Sequence, residues 1–300
     1  MLPFEVKILG CASATPTLRH NPSAQVVELR NKIYMIDCGE GAQLQMRRMR
    51  IRMHRLAHIF ISHLHGDHFY GLPGLLSTLG MVGRTGEVHI HAPKGIEDAL
   101  RLVNWELPYE IRLNIIDPTQ HSLVMEDRSV RVLSIPMRHR IPTCGFLFEE
   151  KQGERHIIRE MIDFYHIPIS RIAAIKKGAD YLTPEGETVP NSRLTLPADP
   201  PRRYACCSDT LFNPDIAPLI EGVDCLYHEA TYMESEAALA QQMFHSTARQ
   251  AAEIARLAHA KQLIIGHYSA RYNDDELLRR EAAEIFSNTV CADEGLTVNI

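Results

Sequence analysis

With 300 residues, 45% of them hydrophobic and 23% charged, the chain has the composition of an ordinary globular protein, large enough for one big domain or two smaller ones. Its formal net charge of -5 argues against indiscriminate binding to nucleic acid, while leaving room for a local basic patch. No apolar run approaches a membrane span, and Met1-Leu2-Pro3-Phe4-Glu5 lacks the basic-then-apolar layout of a secretion signal, so a cytoplasmic protein is expected. The seven cysteines are odd in number and scattered without a Cys-x-x-Cys pair. That predicts reduced thiols, and neither a disulfide framework nor a cysteine-ligated zinc.

In chain order, 4–10 alternates like a strand, and 24–29 and 32–37 read as the next two. A polar loop over 11–23, holding Pro16, Arg19, His20 and Asn21, joins the first pair. Asp37-Cys38-Gly39-Glu40-Gly41 then turns the chain into a helix over 42–49. Glycines beside an acid at a strand end suit a tight turn and a functional site equally well. Arg47, Arg48, Arg50, Arg52 and Arg55 fall close together, as a solvated helix face followed by a loop or as a phosphate-binding surface.

The densest signal follows the apolar run His58-Ile59-Phe60-Ile61: Ser62-His63-Leu64-His65-Gly66-Asp67-His68. Histidine and aspartate cost free energy when buried unpaired, so three imidazoles and a carboxylate in so few residues require a cation. Divalent metals such as zinc take both donor types, and a turn leaving a strand can aim them at one point. His63 and His65 fall on one side of the turn while Asp67 and His68 curl toward a second position, which suggests two metals. Gly66 is expected to supply the backbone freedom that a tight metal loop requires.

Beyond it, 71–79 begins a helix with Pro73 in its first turn. Val88-His89-Ile90-His91 reads as a strand whose paired histidines reflect alternation rather than a site. A helix over 95–104 and strands near 112–116 and 129–135 lead to His139 in a short polar loop. From 151 to 196 charges, prolines and glycines rise; a short helix over 157–165 and a hairpin over 179–189 are the only regular elements expected in what reads as an inserted arm. Core signals return with a strand over 203–210 that carries Asp209 at its end, and with 225–231. Ser246 or Thr247 caps a helix over 248–259, and 262–266 delivers His267, followed by Ser269 and Arg271. Strand ends thus deliver the 63–68 run, His139, Asp209 and His267, a recurrence that predicts one joint site; strands before helices in both halves fit two packed sheets with helices outside.

These residues resemble the metallo-β-lactamase superfamily and, within it, the ribonuclease Z family of tRNA 3′ endonucleases. The resemblance runs from Val6 to about Ala292 and includes Gly71-Leu72-Pro73-Gly74-Leu75-Leu76, Asp37-Cys38-Gly39-Glu40-Gly41, His228-Glu229-Ala230-Thr231, His245-Ser246-Thr247 and His267-Tyr268-Ser269-Ala270-Arg271-Tyr272. It implies an α/β fold, the four-layer αββα sandwich, as a single domain over 1–300 with a tRNA-binding arm inserted at 151–196. It also implies two zinc ions per chain, with manganese a possible substitute: one held by His63, His65 and His139, the other by Asp67, His68 and His267, with Asp209 bridging. The implied activity is removal of the 3′ trailer from precursor tRNA by metal-activated hydroxide, with Asp67 taking the water's proton and His245, oriented by Glu229, serving as acid. Arg47, Arg48, Arg50, Arg52, Arg55, Lys176, Lys177 and Arg271 are the expected RNA contacts, in a homodimer. A small phosphodiester or an ester is the alternative substrate.

Overall fold

The computed structural model describes residues 2–15, 17–101 and 106–300. It divides into two compact units, Leu2–Glu149 with Arg202–Ile300, and Glu150–Pro201. In the larger unit, the first of two seven-stranded sheets orders its strands Thr297–Asn299, Phe4–Gly10, Ala24–Leu29, Lys32–Cys38, Leu56–Phe60, Val88–Pro93 and Ile111–Ile116. Pairing is antiparallel as far as Lys32–Cys38 and parallel beyond it. The second sheet runs Thr289–Cys291, Leu263–Gly266, Cys225–Glu229, Arg203–Cys207, Cys144–Glu150, Val130–Pro136 and Leu123–Glu126, its first four strands parallel.

Alternation along the strands decides what meets between the sheets. Val6, Ile8, Val27, Tyr34, Ile36 and Phe60 join Phe146, Phe148, Tyr204 and Leu226 in one buried cluster. The Phe60 ring sits 5.3 Å from Phe146 and 5.5 Å from Phe148, tying one sheet to the other. Val26, Ile33, Met35, Ile59 and Ile61 point the opposite way, onto Met46 of helix Ala42–Arg48 and Leu72, Leu75, Leu76 and Leu79 of helix Leu72–Met81. A sheet covered on both faces needs apolar side chains at consecutive positions, which explains the unbroken runs Ile33-Tyr34-Met35-Ile36 and Ile59-Phe60-Ile61. Against the second sheet, Ala251, Ala252, Ile254 and Ala255 of helix Ala248–Leu257 complete the layering of helix, sheet, sheet, helix.

Several expected boundaries shift. The helix expected over 95–104 is seen at Ile96–Arg101, its remainder lying outside the described residues, as does Pro16 of the polar loop. The strand expected over 203–210 stops at Cys207, so Ser208 and Asp209 leave the sheet. Leu123–Glu126, Cys144–Glu150, Thr289–Cys291 and Thr297–Asn299 are strands beyond those the sequence predicts: three are too short to show a period, and Cys144–Glu150 is apolar on both faces for most of its length.

The Glu150–Pro201 unit has a small core of its own, Ile167, Ile175, Tyr181, Val189 and Leu194. The hairpin expected there pairs Tyr181–Leu182 with Thr188–Val189, whereas the expected helix starts late, at Arg159–Phe164, because His156–Ile157 pairs with Thr195–Leu196. Helix Ile169–Lys176 adds to the elements expected there; Ile172 and Ile175 have helical spacing and both pack into that core.

The choice of cap for helix Ala248–Leu257 is decided by hydrogen bonds. The Gln250 amide donates to Thr247 Oγ1 at 3.2 Å and the Thr247 amide donates to Gln250 Oε1 at 3.0 Å, while Ser246 Oγ is committed to the Thr210 carbonyl at 2.7 Å. Thr247→Ala is expected to lower stability by about 1–2 kcal/mol, read as a lower urea midpoint at unchanged slope.

Candidate metal centre

Parallel pairing sets the carboxyl ends of Arg203–Cys207, Cys225–Glu229 and Leu263–Gly266 side by side, and Asp209, Glu229 and His267 emerge there. His267 has φ 64, a left-handed conformation costly for a side chain of this size and held here by its partners. From the first sheet, the chain leaving Leu56–Phe60 presents His63 and His65, then makes one helical turn, Gly66–Phe69, carrying Asp67 and His68. Gly66 does not take up a left-handed conformation, contrary to the expected role. A Cβ placed there would meet the Tyr70 ring at 2.2 Å, and that exposed ring would have to swing aside. Gly39 is confined for a related reason, the Asp67 carbonyl lying 2.5 Å from its would-be Cβ.

The seven residues expected as ligands converge. His63 Nε2 and His139 Nε2 approach His65 Nδ1 at 3.1 and 3.2 Å, and stand 3.6 and 3.8 Å from Asp209 Oδ2. On the other side, His68 Nε2 and His267 Nε2 lie 3.3 and 3.4 Å from Asp67 Oδ2, and 3.4 and 3.3 Å from Asp209 Oδ1. Asp209 therefore turns one oxygen to each group. The donor atoms of His63, His65, His139 and Asp209 form one compact set, and those of Asp67, His68 and His267 another.

The arrangement fits divalent cations on two counts. His68 Nε2 and Asp209 Oδ1 are buried without a hydrogen-bond partner, a state native proteins nearly always avoid. The donors are imidazole nitrogens and carboxylate oxygens with their outer faces already engaged. His68 Nδ1 donates to Asp37 Oδ2 at 2.7 Å, His139 Nδ1 to the Phe244 carbonyl at 2.8 Å, and His267 Nδ1 to Thr231 Oγ1 at 2.9 Å. Such bonds fix ring orientation and leave Nε2 free to bind a metal. Asp37 also accepts from the Ser62 amide and hydroxyl, at 2.8 and 2.9 Å, so the flagged turn at 37–41 serves the site as well as the chain reversal. Asp37, Ser62 and Thr231 lay in sequence segments already singled out; Phe244, at φ 63, carried no sequence signal.

Charge follows the same geometry. Burial holds His63, His65 and His139 below the ordinary imidazole value, so they are neutral donors. Burial pushes the Asp67 and Asp209 carboxyls up, but the surrounding imidazoles, His68 and His267 among them, override it and hold both well below the carboxylate range. At His68 burial is likewise outweighed, by Asp209, Asp37 and Asp67, which raise its pKa. The field that retains a proton there is the field that attracts a cation.

His245 stands beside the centre, its Nδ1 2.9 Å from Glu229 Oε1 and 4.0 Å from Asp209 Oδ2. Burial opposes its charge, yet Glu229 and Asp209 raise its pKa to about 9. Glu229 is itself fixed by the Thr210 amide at 3.0 Å and the Thr231 hydroxyl at 2.7 Å. A cavity of about 500 Å3 opens over these groups, lined by His65, Asp67, His139, His245, His267 and Arg271 among others.

The remaining residues lie elsewhere or are already engaged. Arg271 pairs with Glu236 and covers the Tyr232 ring at 5.1 Å. Arg47, Arg48, Arg50, Arg52 and Arg55 are exposed, three of them beside a separate groove of about 330 Å3. Lys176 pairs with Glu154 at 3.1 Å, and Lys177 is exposed. His89 and His91 take no part in the centre: both stack on His58, at 4.8 and 5.4 Å.

Comparison with known proteins places this geometry in context. The model of the family described as Anti-Pycsar protein Apyc1 matches residues 4–105. Human tRNase Z, short form, superposes with TM-score 0.68 over 98% of both chains at 24% identity. The metallo-β-lactamase fold protein YhfI from Bacillus subtilis superposes with TM-score 0.70 over 99% of this chain and 100% of that one at 16% identity. Both speak to the fold. Ribonuclease Z of Parabacteroides distasonis is 62% identical, and that of Bacteroides fragilis 55% identical, each over 100% of both chains. Such identity across the full length, on a chain with this fold and this convergence of histidines and aspartates, means that it belongs to the ribonuclease Z family.

Proposed function

We propose that the protein is a metal-dependent endoribonuclease that removes the 3′ trailer from precursor tRNA, leaving a tRNA 3′ hydroxyl and a trailer with a 5′ phosphate. The observation that carries this reading is Asp209, buried between two histidine-rich groups with one oxygen toward each, in a chain 62% identical to a protein named Ribonuclease Z.

His63, His65, His139 and Asp209 would hold one cation, and Asp67, His68, His267 and the other Asp209 oxygen the second. The nitrogen and oxygen donor set suits zinc, with manganese as the substitute. Bound there, two divalent ions supply Lewis acidity, lowering the pKa of water and stabilising charge on phosphoryl oxygens. The protein's own groups do the rest. Asp67, held ionised, receives the proton of the attacking water. His245 is an imidazolium at neutral pH because its pKa lies at about 9, and it protonates the departing ribose 3′ oxygen. This proton is present below that value and lost as pH rises through it. Glu229 keeps the ring in place and charged.

A net charge of -5 requires the phosphate contacts to be grouped. The exposed arginines at 47, 48, 50, 52 and 55, Lys176 and Lys177 of the Glu150–Pro201 unit, and Arg271 at the cavity form that set in this reading. A homodimer, in which the arm of one subunit grips tRNA engaged by the other's site, and a cytoplasmic location complete it. No helix among the described residues is long and apolar enough to cross a membrane.

Metal analysis of the purified protein is expected to find at least two ions per chain, and end-mapping of one cleaved precursor tRNA to find the two termini named above. His65→Ala should lose bound metal and cleavage together while keeping the fold by circular dichroism; retained cleavage would reject the site. His245→Ala should lower kcat roughly 100-fold to 10,000-fold, the range for a general acid. Glu229→Gln should move the alkaline limb of the kcat profile to lower pH, because the carboxylate that raises the His245 pKa is gone. Deleting the arm should slow cleavage of precursor tRNA far more than hydrolysis of a chromogenic phosphodiester; equal losses would show that it does not act in RNA binding.

A further inference from the structure

A second mixed cluster of donors lies outside the centre described above, where the loop after strand Phe4–Gly10 meets the C-terminal segment. Cys11 Sγ is 3.3 Å from His20 Nδ1, His20 Nδ1 is 2.8 Å from Glu294 Oε2, and Sγ is 4.0 Å from both Glu294 oxygens. Cys11 is fully buried and His20 is 7% exposed. A thiol, which burial and the neighbouring acids hold protonated, an imidazole and a carboxylate lie within 4.8 Å of one another and supply three of the four donors that a tetrahedral zinc takes.

A further observation is compatible with a ligand. The outer nitrogen of His20, Nε2, meets Asp275 Oδ2 at 2.9 Å, the carboxylate–histidine arrangement that frees the inner nitrogen for a metal. The charges allow an ion: with Arg19 paired to Asp275, a Cys11 thiolate and the Glu294 carboxylate would balance one dication, as the His20 imidazolium balances Glu294 without one.

We propose that Cys11 Sγ, His20 Nδ1 and the Glu294 carboxylate bind a divalent ion of the zinc class at a structural site separate from the Asp209 centre. As the sulfur–metal and nitrogen–metal bonds form, the thiol proton and the Nδ1 proton of the imidazolium leave to solvent. The site escaped the sequence argument against cysteine-ligated zinc because that argument rests on local spacing, and these donors are 9 and 274 positions apart. The ion clips a long loop, where cross-links restrict the unfolded chain most. It also bears on the cavity wall: the Tyr268 amide, next to His267, donates to the Cys11 carbonyl at 2.9 Å, and the Ser13 amide donates to the Tyr268 carbonyl at 3.1 Å. Ser13, Ala14 and Thr15 line the cavity.

Cobalt(II) titration of the metal-stripped full chain tests this without any cleavage assay, so its outcome is independent of the proposed function. The Asp209 centre contains no sulfur and yields only visible d–d bands; a thiolate ligand adds a near-ultraviolet sulfur-to-cobalt charge-transfer band. The wild type is expected to show that band at one thiolate per chain, Cys11→Ser to lose it while keeping the visible bands, and His20→Asn, which removes a direct ligand, to need at least the roughly 10-fold to 100-fold more cobalt that loss of an outer partner costs. No charge-transfer band in the wild type at any cobalt ratio overturns the proposal, leaving His20 as an imidazolium held between two carboxylates. A band that persists in Cys11→Ser overturns it too. Should Cys11→Ser fail to fold, His20→Asn decides: unchanged cobalt affinity overturns the proposal, and weakened affinity supports it.

Discussion

The structure depends on one buried carboxylate. Asp209 is 2% exposed and surrounded by imidazoles, and its environment holds it ionised although burial alone would neutralise it. A charge in such a place must be matched, so the residues around it are fixed in identity and orientation alike. His63 and His139 face one oxygen, His68 and His267 the other. Behind them Asp37, Thr231 and the Phe244 carbonyl take up the outer nitrogens. Loss of any one partner would leave charge or a polar atom buried without compensation, which costs far more than the contact itself contributes.

That arrangement requires the sheets to be held in register, since ligands come from both. Apolar packing sets their separation through Phe60, Phe146 and Phe148. Polar bonds near the site then set their relative slide. Ser208 Oγ donates to Ser62 Oγ at 3.0 Å, and the Cys144 amide donates to the Ser62 carbonyl at 3.2 Å. Within the second sheet's loops, the Arg138 amide donates to Thr210 Oγ1 at 3.0 Å and the Leu211 amide to the Arg138 carbonyl at 2.8 Å, coupling the turn that carries His139 to the one that carries Asp209.

Histidine density alone does not make a centre, as the stack of His58, His89 and His91 shows. These rings sit on neighbouring parallel strands, His58 Nδ1 3.1 Å from His91 Nε2, and the Glu87 carboxylate reaches His89 from the side, at 3.5 Å, without bridging the rings as Asp209 does. Burial pushes His58 down to about 4 and His91 down to about 3, so they are neutral packing groups. The cluster at Asp209 differs by its acids, and so does the cluster at His20, where Asp275 and Glu294 raise the imidazole to about 9 against the effect of burial.

Much of this was legible in the chain itself. The 63–68 run is local, and its donors outnumber anything folding would require, so its purpose can be read without coordinates. Apolar runs at 33–36 and 59–61 announce strands buried on both faces, and the strand-then-polar-turn pattern singled out His139, Asp209 and His267 one by one. What the sequence could not express is distance between remote segments. Only the packed sheets decided that Asp209 faces both groups, that Phe244 orients His139, and that Cys11, His20 and Glu294 meet. Local periodicity is written in neighbouring residues, whereas convergence is set by the burial of apolar surface, a non-directional force whose geometric result appears only once the chain has closed on itself.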